Sequence, residues 1–120
     1  MSLFVDTSVW YAAADRRVTT DHVLIEMWVL LRHRLNREAA ERFWDGLRRG
    51  VALVEPVTAA DLEVAWAIGE AFVDQDFSVV DRTSFAVMQR LGLERAASFD
   101  HDFAVFRYGR RRERAFSVLR

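Results

Sequence analysis

Short apolar runs bounded by polar residues recur along the sequence, and we predict a buried β-strand at each of them. The first run, residues 3–5, leads directly into Asp6, after which Thr7 and Ser8 mark the start of a helix. The last run is predicted to be an edge strand. The predicted strands comprise residues 3–5, 51–54, 96–100 and 115–119.

Segments with helical spacing and capping residues lie between these strands. Asn36 and Gly50 are predicted to bound one of the helices, and residues 15–17 are predicted to form a polar break. Because strands alternate with helices, we predict an α/β fold with a mostly parallel central sheet and helices on both faces. The predicted helices comprise residues 9–14, 23–34, 37–49, 58–73 and 78–91.

Residues 23–31 are apolar almost all round, which predicts a buried helix whose only charge is Glu26. An ionised carboxylate is costly to bury without a partner, so Glu26 should point into a cleft or pair with a cation. The alternative is that Glu26 lies on a solvent-facing stripe with His22, Val29 and His33.

Other notable positions have structural explanations. Thr58 and Asp61 match a capping box, so Asp61 is not counted as a site residue. Asp81 is the third residue after Ser78, where capping explains a carboxylate as well as a functional role does. The apolar positions predicted to pack helix 37–49 into the core are Ala40, Phe43, Trp44 and Leu47.

Four acids are predicted to converge on one edge of the sheet. Asp6 and Asp100 end strands, and the carboxyl ends of parallel strands share an edge with the amino termini of the following helices. Asp81 lies at such a helix start, and Glu26 lies within the predicted helix of residues 23–34. The alternative for Asp6 is that it only caps the next helix.

Clustered carboxylates repel one another unless a cation joins them. Oxygen ligands suit Mg²⁺ or Mn²⁺, and the chain has no cysteine that would favour a softer metal. Such a cation activates water and stabilises charge on a phosphodiester. The cluster therefore predicts metal-assisted hydrolysis of phosphodiester bonds.

The composition narrows the classes of protein. A chain of 120 residues with 52% hydrophobic residues is expected to form one domain. Nothing resembles a signal peptide or a membrane span, so a cytoplasmic protein is expected. All 17 basic residues are arginine, which excludes mechanisms that need a lysine, among them that of the phospho-acceptor receiver domains.

Five arginines lie between residues 107 and 114. Arginine suits bidentate contacts with phosphate, so Arg110, Arg111 and Arg112 are predicted to contact RNA. The alternative is a solvated charged turn that includes Glu113.

Four sequence blocks resemble the PIN-domain ribonucleases, and among them the VapC toxins of VapBC toxin–antitoxin pairs. The blocks occur in the family's order and extend from Leu3 to Phe103. They are Phe4-Val5-Asp6-Thr7-Ser8-Val9-Trp10, Thr20-Asp21-x-Val23-Leu24-x-Glu26, Asp81-x-x-Ser84-Phe85-Ala86-Val87-Met88 and Ser98-Phe99-Asp100-x-Asp102-Phe103.

The resemblance implies a PIN fold, which is a three-layer sandwich, and endoribonuclease activity that depends on Mg²⁺ or Mn²⁺. It also implies a homodimer and inhibition by a VapB antitoxin, whose carboxyl-terminal segment lies across the active-site cleft. The matching catalytic and metal-binding acids are Asp6, Glu26, Asp81 and Asp100, with Asp102 as a fifth acid in some members. The hydroxyl residues that match those supporting the acids are Thr7, Ser8 and Ser98.

One departure from the family lies between Asp6 and Glu26, which are only twenty residues apart. Family members have a further helix and loop there. We therefore predict a single PIN domain over residues 1–120, shortened between Arg16 and Thr19, unless the sequence omits a loop. The shortening affects one wall of the substrate cleft and part of the antitoxin groove but not the acids. The alternative function is a PIN nuclease, or a non-catalytic PIN module, of RNA processing or decay without an antitoxin.

Overall fold

A five-stranded parallel sheet organises the described part of the chain. The computed structural model describes residues 2–5, 16–97 and 105–119. In chain order the elements are β1 (Ser2–Val5), β2 (Arg16–Thr20), α1 (Asp21–Arg34), α2 (Arg37–Arg48), β3 (Leu53–Glu55), α3 (Ala59–Ala71), α4 (Val79–Leu91), β4 (Arg95–Ala97) and β5 (Ser117–Leu119). The strand order is β3-β2-β1-β4-β5, and each of these pairings is parallel. The predicted α/β class is confirmed.

Strand β1 lies at the centre of the sheet, because β2 pairs with one side of it and β4 with the other. Strand β2 corrects one prediction: Arg16 and Arg17 begin a strand, where we expected a polar break. Their backbone groups pair with β1 and β3, and this pairing outweighs the local polarity. Only ten residues, 6–15, connect β1 to β2, whereas a crossover between parallel strands usually takes about a dozen or more.

Capping residues begin and end the helices at the predicted positions. The Thr20 hydroxyl accepts a hydrogen bond from the Val23 N–H (3.1 Å) at the start of α1. The Asn36 side chain accepts one from the Ala39 N–H (2.8 Å) at the start of α2. Helix α4 ends at Gly92, whose φ of 67° is a left-handed conformation that suits glycine.

Helix α4 is the central helix of the core, since residues 83–88 are all buried. The Phe85 ring stacks on Phe106 with centroids 4.4 Å apart and meets Phe77 edge-on at 5.2 Å. Phe116 packs beside Phe85, with ring centroids 6.1 Å apart. Burying a phenylalanine stabilises a fold by about 1.5–3 kcal/mol, so this aromatic group is a principal source of stability.

Helix α1 is more exposed than its apolar sequence predicts. Val23 is buried, but Ile25 is 60% exposed and Val29 45%. Trp44, predicted as core, is 44% exposed, and Leu53 in the predicted buried strand is 50% exposed. These predictions were wrong because apolar spacing identifies a face that favours burial but does not show whether another part of the chain packs on it. No described helix combines the length and apolarity that crossing a bilayer requires.

Candidate active site

The predicted site residues fall into two groups. Glu26 and Asp81 lie in helices that the structure describes. The others, together with the predicted helix of residues 9–14 and the end of the predicted strand 96–100, lie outside the described residues. The site residues in that second group are Asp6, Thr7, Ser8, Ser98, Asp100 and Asp102.

Asp81 is held in a capping box at the start of α4. The Ser78 N–H donates to Asp81 Oδ2 (3.0 Å), and the Asp81 N–H donates to Ser78 Oγ (3.0 Å). The side chain is therefore fixed, and Asp81 is only 8% exposed. The capping interpretation is confirmed. A carboxylate has about four lone-pair positions, so a capping hydrogen bond and a contact with a cation are compatible in one aspartate.

Ser84 lies one turn after Asp81, on the same side of α4. Its hydroxyl is buried and has no hydrogen-bond partner in the described structure. Buried hydroxyls in native proteins usually have a partner, which is often an ordered water or a bound ion. Ser84 belongs to the third of the sequence blocks that resemble the family, but no role was predicted for it. Its hydroxyl fits a site that holds water beside Asp81.

The helices that carry Glu26 and Asp81 meet at their amino-terminal halves. Thr83 Oγ1 lies 3.3 Å from His22 Nδ1, and this contact joins the first turns of α4 and α1. Glu26 is one turn after His22, so the two share a side of α1. The structure thus brings these two acid-bearing helices together. Glu26 itself is exposed, which fits both a cleft and the solvent-facing stripe.

Asp21 ties the same region to the end of β3. Its Oδ1 accepts a hydrogen bond from the Val57 N–H (3.0 Å), in the segment that leads from β3 into α3. The starts of α1 and α3 are thereby held together at the carboxyl edge of the sheet. This is the edge at which open α/β sheets bind their ligands.

Asp61 has a different environment, although its capping box matches that of Asp81. The Thr58 N–H donates to Asp61 Oδ2 (2.9 Å), and Arg90 donates to both carboxylate oxygens (3.0 and 2.9 Å). Burial raises the pKa of Asp61, but the hydrogen bonds from Arg90 and Thr58 outweigh burial and lower the pKa below its ordinary 3.8. The pKa of Arg90 is raised by its bonds to Asp61 and Glu55. The expectation that Asp61 is structural agrees with this geometry.

Within residues 2–5, 16–97 and 105–119, no three histidine or acidic side chains are grouped closely enough to hold a metal ion. A complete site would need acids from β1 and β4, whose following residues lie outside these ranges. The described part contributes the fixed carboxylate of Asp81 and the neighbouring helix with Glu26.

One class of nuclease has this arrangement, in which a parallel sheet carries an acid, here Asp81, beside its carboxyl edge. The PIN domain family model matches residues 3–107, and the chain belongs to this family.

Two relatives are informative. The chain is 38% identical over 120 residues to the 23S rRNA-specific endonuclease VapC20 of Mycobacterium tuberculosis, in two strains, covering 85% of this chain and 92% of that protein. The crystal structure of M. tuberculosis VapC20, described as a sarcin–ricin loop cleaving toxin, superposes with a TM-score of 0.79 at 34% identity. That match covers 86% of this chain and 93% of the other. The predicted family, PIN fold and nuclease class are confirmed.

Proposed function

We propose that this chain is a VapC-type endoribonuclease toxin that hydrolyses phosphodiester bonds in ribosomal RNA. The observation that carries the proposal is the likeness to VapC20, which extends over 92% of that protein and 93% of its solved structure. That relative is named for 23S rRNA and for the sarcin–ricin loop, so an RNA stem-loop of this kind is the first substrate to test.

A divalent cation, Mg²⁺ or Mn²⁺, is part of the proposal. The donor set is suitable, since the proposed ligands are carboxylates and the chain has no cysteine. The buried Ser84 hydroxyl, which has no hydrogen-bond partner among the described residues, also fits a hydrated site next to Asp81. The residues that would hold the cation are Asp6, Asp81 and Asp100, with Glu26 and Asp102 as further candidates. When bound, such a cation lowers the pKa of water and stabilises charge on the phosphate.

The protein's own residues would position and activate the reactants. The capping box fixes Asp81, so its carboxylate needs little reorganisation when substrate binds. Glu26, on the neighbouring helix, would accept a proton from the attacking water. Thr7, Ser8 and Ser98 would hold the strand-end acids by hydrogen bonds, as in the family that the chain resembles.

The partners in this proposal are RNA, a VapB-like antitoxin and a second copy of the chain. The exposed apolar residues of α1, Ile25, Val29 and Leu30, support a protein partner on that helix. We assign this face to the homodimer. We place the antitoxin at the active-site cleft and the complex in the cytoplasm.

The single shortened PIN domain remains a prediction. The connection of only ten residues between β1 and β2 supports a shortened path from the first strand to the helix that carries Glu26. The affected wall of the cleft would then be lower than in relatives that keep the helix.

The test is cleavage of a labelled sarcin–ricin stem-loop RNA by the wild type and by Asp81→Asn. Asparagine keeps an oxygen that accepts the Ser78 N–H bond but removes the charge. We expect the rate in Mg²⁺ to fall by about 10²-fold or more, since even residues that only support a metal ligand are worth 10–100-fold. Chelation with EDTA should abolish wild-type cleavage. Cleavage by Asp81→Asn at the wild-type rate would refute the proposal.

A further inference from the structure

The arginine-rich segment of residues 107–114 forms a closed hairpin, which we call the arginine hairpin. Tyr108 and Arg114 exchange two backbone hydrogen bonds of 3.0 and 3.1 Å. Gly109 takes a left-handed conformation with φ of 91°, and the Arg112 N–H donates to the Gly109 carbonyl (3.2 Å). The Tyr108 ring stacks on Phe116 at 4.7 Å, which anchors the hairpin to the core. The turn is thus a built structure with a defined tip.

Three of its five arginines have local partners. Arg114 pairs with Glu94 and lies over the Tyr108 ring at 5.0 Å. Arg112 lies over the Phe72 ring, with its guanidinium carbon 4.9 Å from the centroid. Arg107 donates to two backbone carbonyls in the preceding turn. These side chains are used to hold the hairpin against the protein.

Arg110 and Arg111, at the tip, are exposed, and no side-chain hydrogen bond or ion pair of either occurs in the described structure. Glu113 is the acid closest in sequence, and it binds the backbone instead: its Oε2 accepts from the Arg111 N–H (2.8 Å). Its Oε1 lies where a side chain on residue 109 would begin, 3.1 Å from an ideal Cβ, so Gly109 makes room for it. The Glu113 carboxylate therefore stabilises the turn, and the guanidinium groups of Arg110 and Arg111 stay exposed.

We propose that Arg110 and Arg111 form a phosphate-binding tip that contacts the RNA substrate away from the carboxylate site. This proposal rests on the proposed function, which supplies the RNA. It also reduces the sequence prediction for residues 110–112 to the first two of them. The third, Arg112, has its guanidinium over the Phe72 ring and anchors the hairpin there. A guanidinium presents several donors in a plane that matches two phosphate oxygens, and the rigid turn lowers the entropy cost of ordering it.

The arginines of helix α2 provide a contrast and a matched control. Arg37 and Arg42 are equally exposed, but each pairs with a glutamate one turn away, Glu41 and Glu38 respectively. The double variant Arg37→Ala/Arg42→Ala removes the same charge as Arg110→Ala/Arg111→Ala. Comparing the two separates a local effect of the tip from the effect of net charge.

The experiment measures binding of a fluorescein-labelled sarcin–ricin stem-loop RNA at several salt concentrations. The Asp81→Asn background prevents cleavage during the titration. We expect the tip variant to bind more weakly and its plot of log affinity against log salt to flatten by about 1.4–1.8. This corresponds to two lost phosphate contacts, at about 0.7 each in a single-stranded loop or about 0.9 each in a duplex stem. Arg110→Lys/Arg111→Lys should restore most of the slope, because the charge is retained.

The proposal is overturned if the tip variant keeps the parental slope and affinity, or if the α2 control changes them equally. It is also overturned if the tip variant weakens binding of the cognate antitoxin and leaves RNA binding unchanged, since the tip would then serve a protein partner. Unchanged melting temperatures must accompany each comparison. Failure of the proposed function is recognised separately, because it appears as absent or metal-independent cleavage by the wild type.

Discussion

Asp61 and Asp81 occupy the same position in two capping boxes, three residues after Thr58 and Ser78. Their surroundings differ, because Arg90 neutralises Asp61 whereas Asp81 lies at the start of a helix that contacts α1. Two aspartates with the same local sequence pattern therefore serve as a matched pair for separating a structural role from a catalytic one.

The first prediction uses this pair. In an RNA cleavage assay with Mg²⁺, Asp61→Asn should keep the wild-type rate at temperatures where it is folded, while Asp81→Asn loses cleavage. Circular dichroism of both variants confirms that the comparison is between folded proteins. Equal loss of cleavage in the two folded variants would contradict a particular role for the charge of Asp81.

A second prediction concerns acid stability. The pKa of Asp61 is lowered in the folded protein, so its contribution is fully present above its ordinary pKa of 3.8 and is lost as the pH falls through the lowered folded value. Asp61→Asn should reduce the free energy of unfolding at pH 7 by roughly 2 kcal/mol, as for hydrogen bonds to a charged group. Urea unfolding should show this difference shrinking below about pH 4. A difference independent of pH would contradict the assignment.

At the scale of residues, the sequence predicts best what is local. Both capping boxes and the Asn36 cap were predicted correctly, because a cap depends on residues within three positions of one another. The Arg90 bonds to Asp61 were not predicted, because twenty-nine positions separate the two in sequence. The convergence of Asp6 and Asp100 with Asp81 stays a prediction, since the first two lie outside the described residues.

At the scale of elements, the buried position that the sequence suggests for α1 is occupied by α4. The nearly continuous apolar run of α1 predicted burial, yet α4 is the central helix and α1 exposes much of its apolar surface. Local spacing cannot distinguish a face covered within one chain from a face covered by a second chain. Strand β2 was missed for a related reason, because its pairing with β1 and β3 is non-local.

The third prediction tests what covers α1. If this face forms the homodimer, Val29→Glu should shift the protein from dimer to monomer in sedimentation velocity, because it places a charge in an apolar interface. Val73→Glu provides the control, since Val73 is a more exposed valine (83%) in the connection between α3 and α4. Dimers that persist in Val29→Glu would assign the face of α1 to another partner.

At the scale of the whole molecule, a metal that binds only the folded state stabilises the entire domain. The fourth prediction is that Mg²⁺ at a hundred times its dissociation constant stabilises the wild type by about 2.7 kcal/mol and leaves Asp81→Asn nearly unchanged. Thermal melting with and without Mg²⁺ measures this effect independently of any RNA. The same gain in stability in both proteins would place the cation elsewhere.

The central position of β1 has a consequence for synthesis of the protein. Strand β1 is synthesised long before its neighbour β4, because Phe4 pairs with Ala96, which is far along the chain. A ribosome-bound chain that stops before Ala96 leaves one edge of β1 without a partner, and long-range pairing of this kind forms slowly. An active nuclease therefore cannot assemble while most of the domain is still being translated.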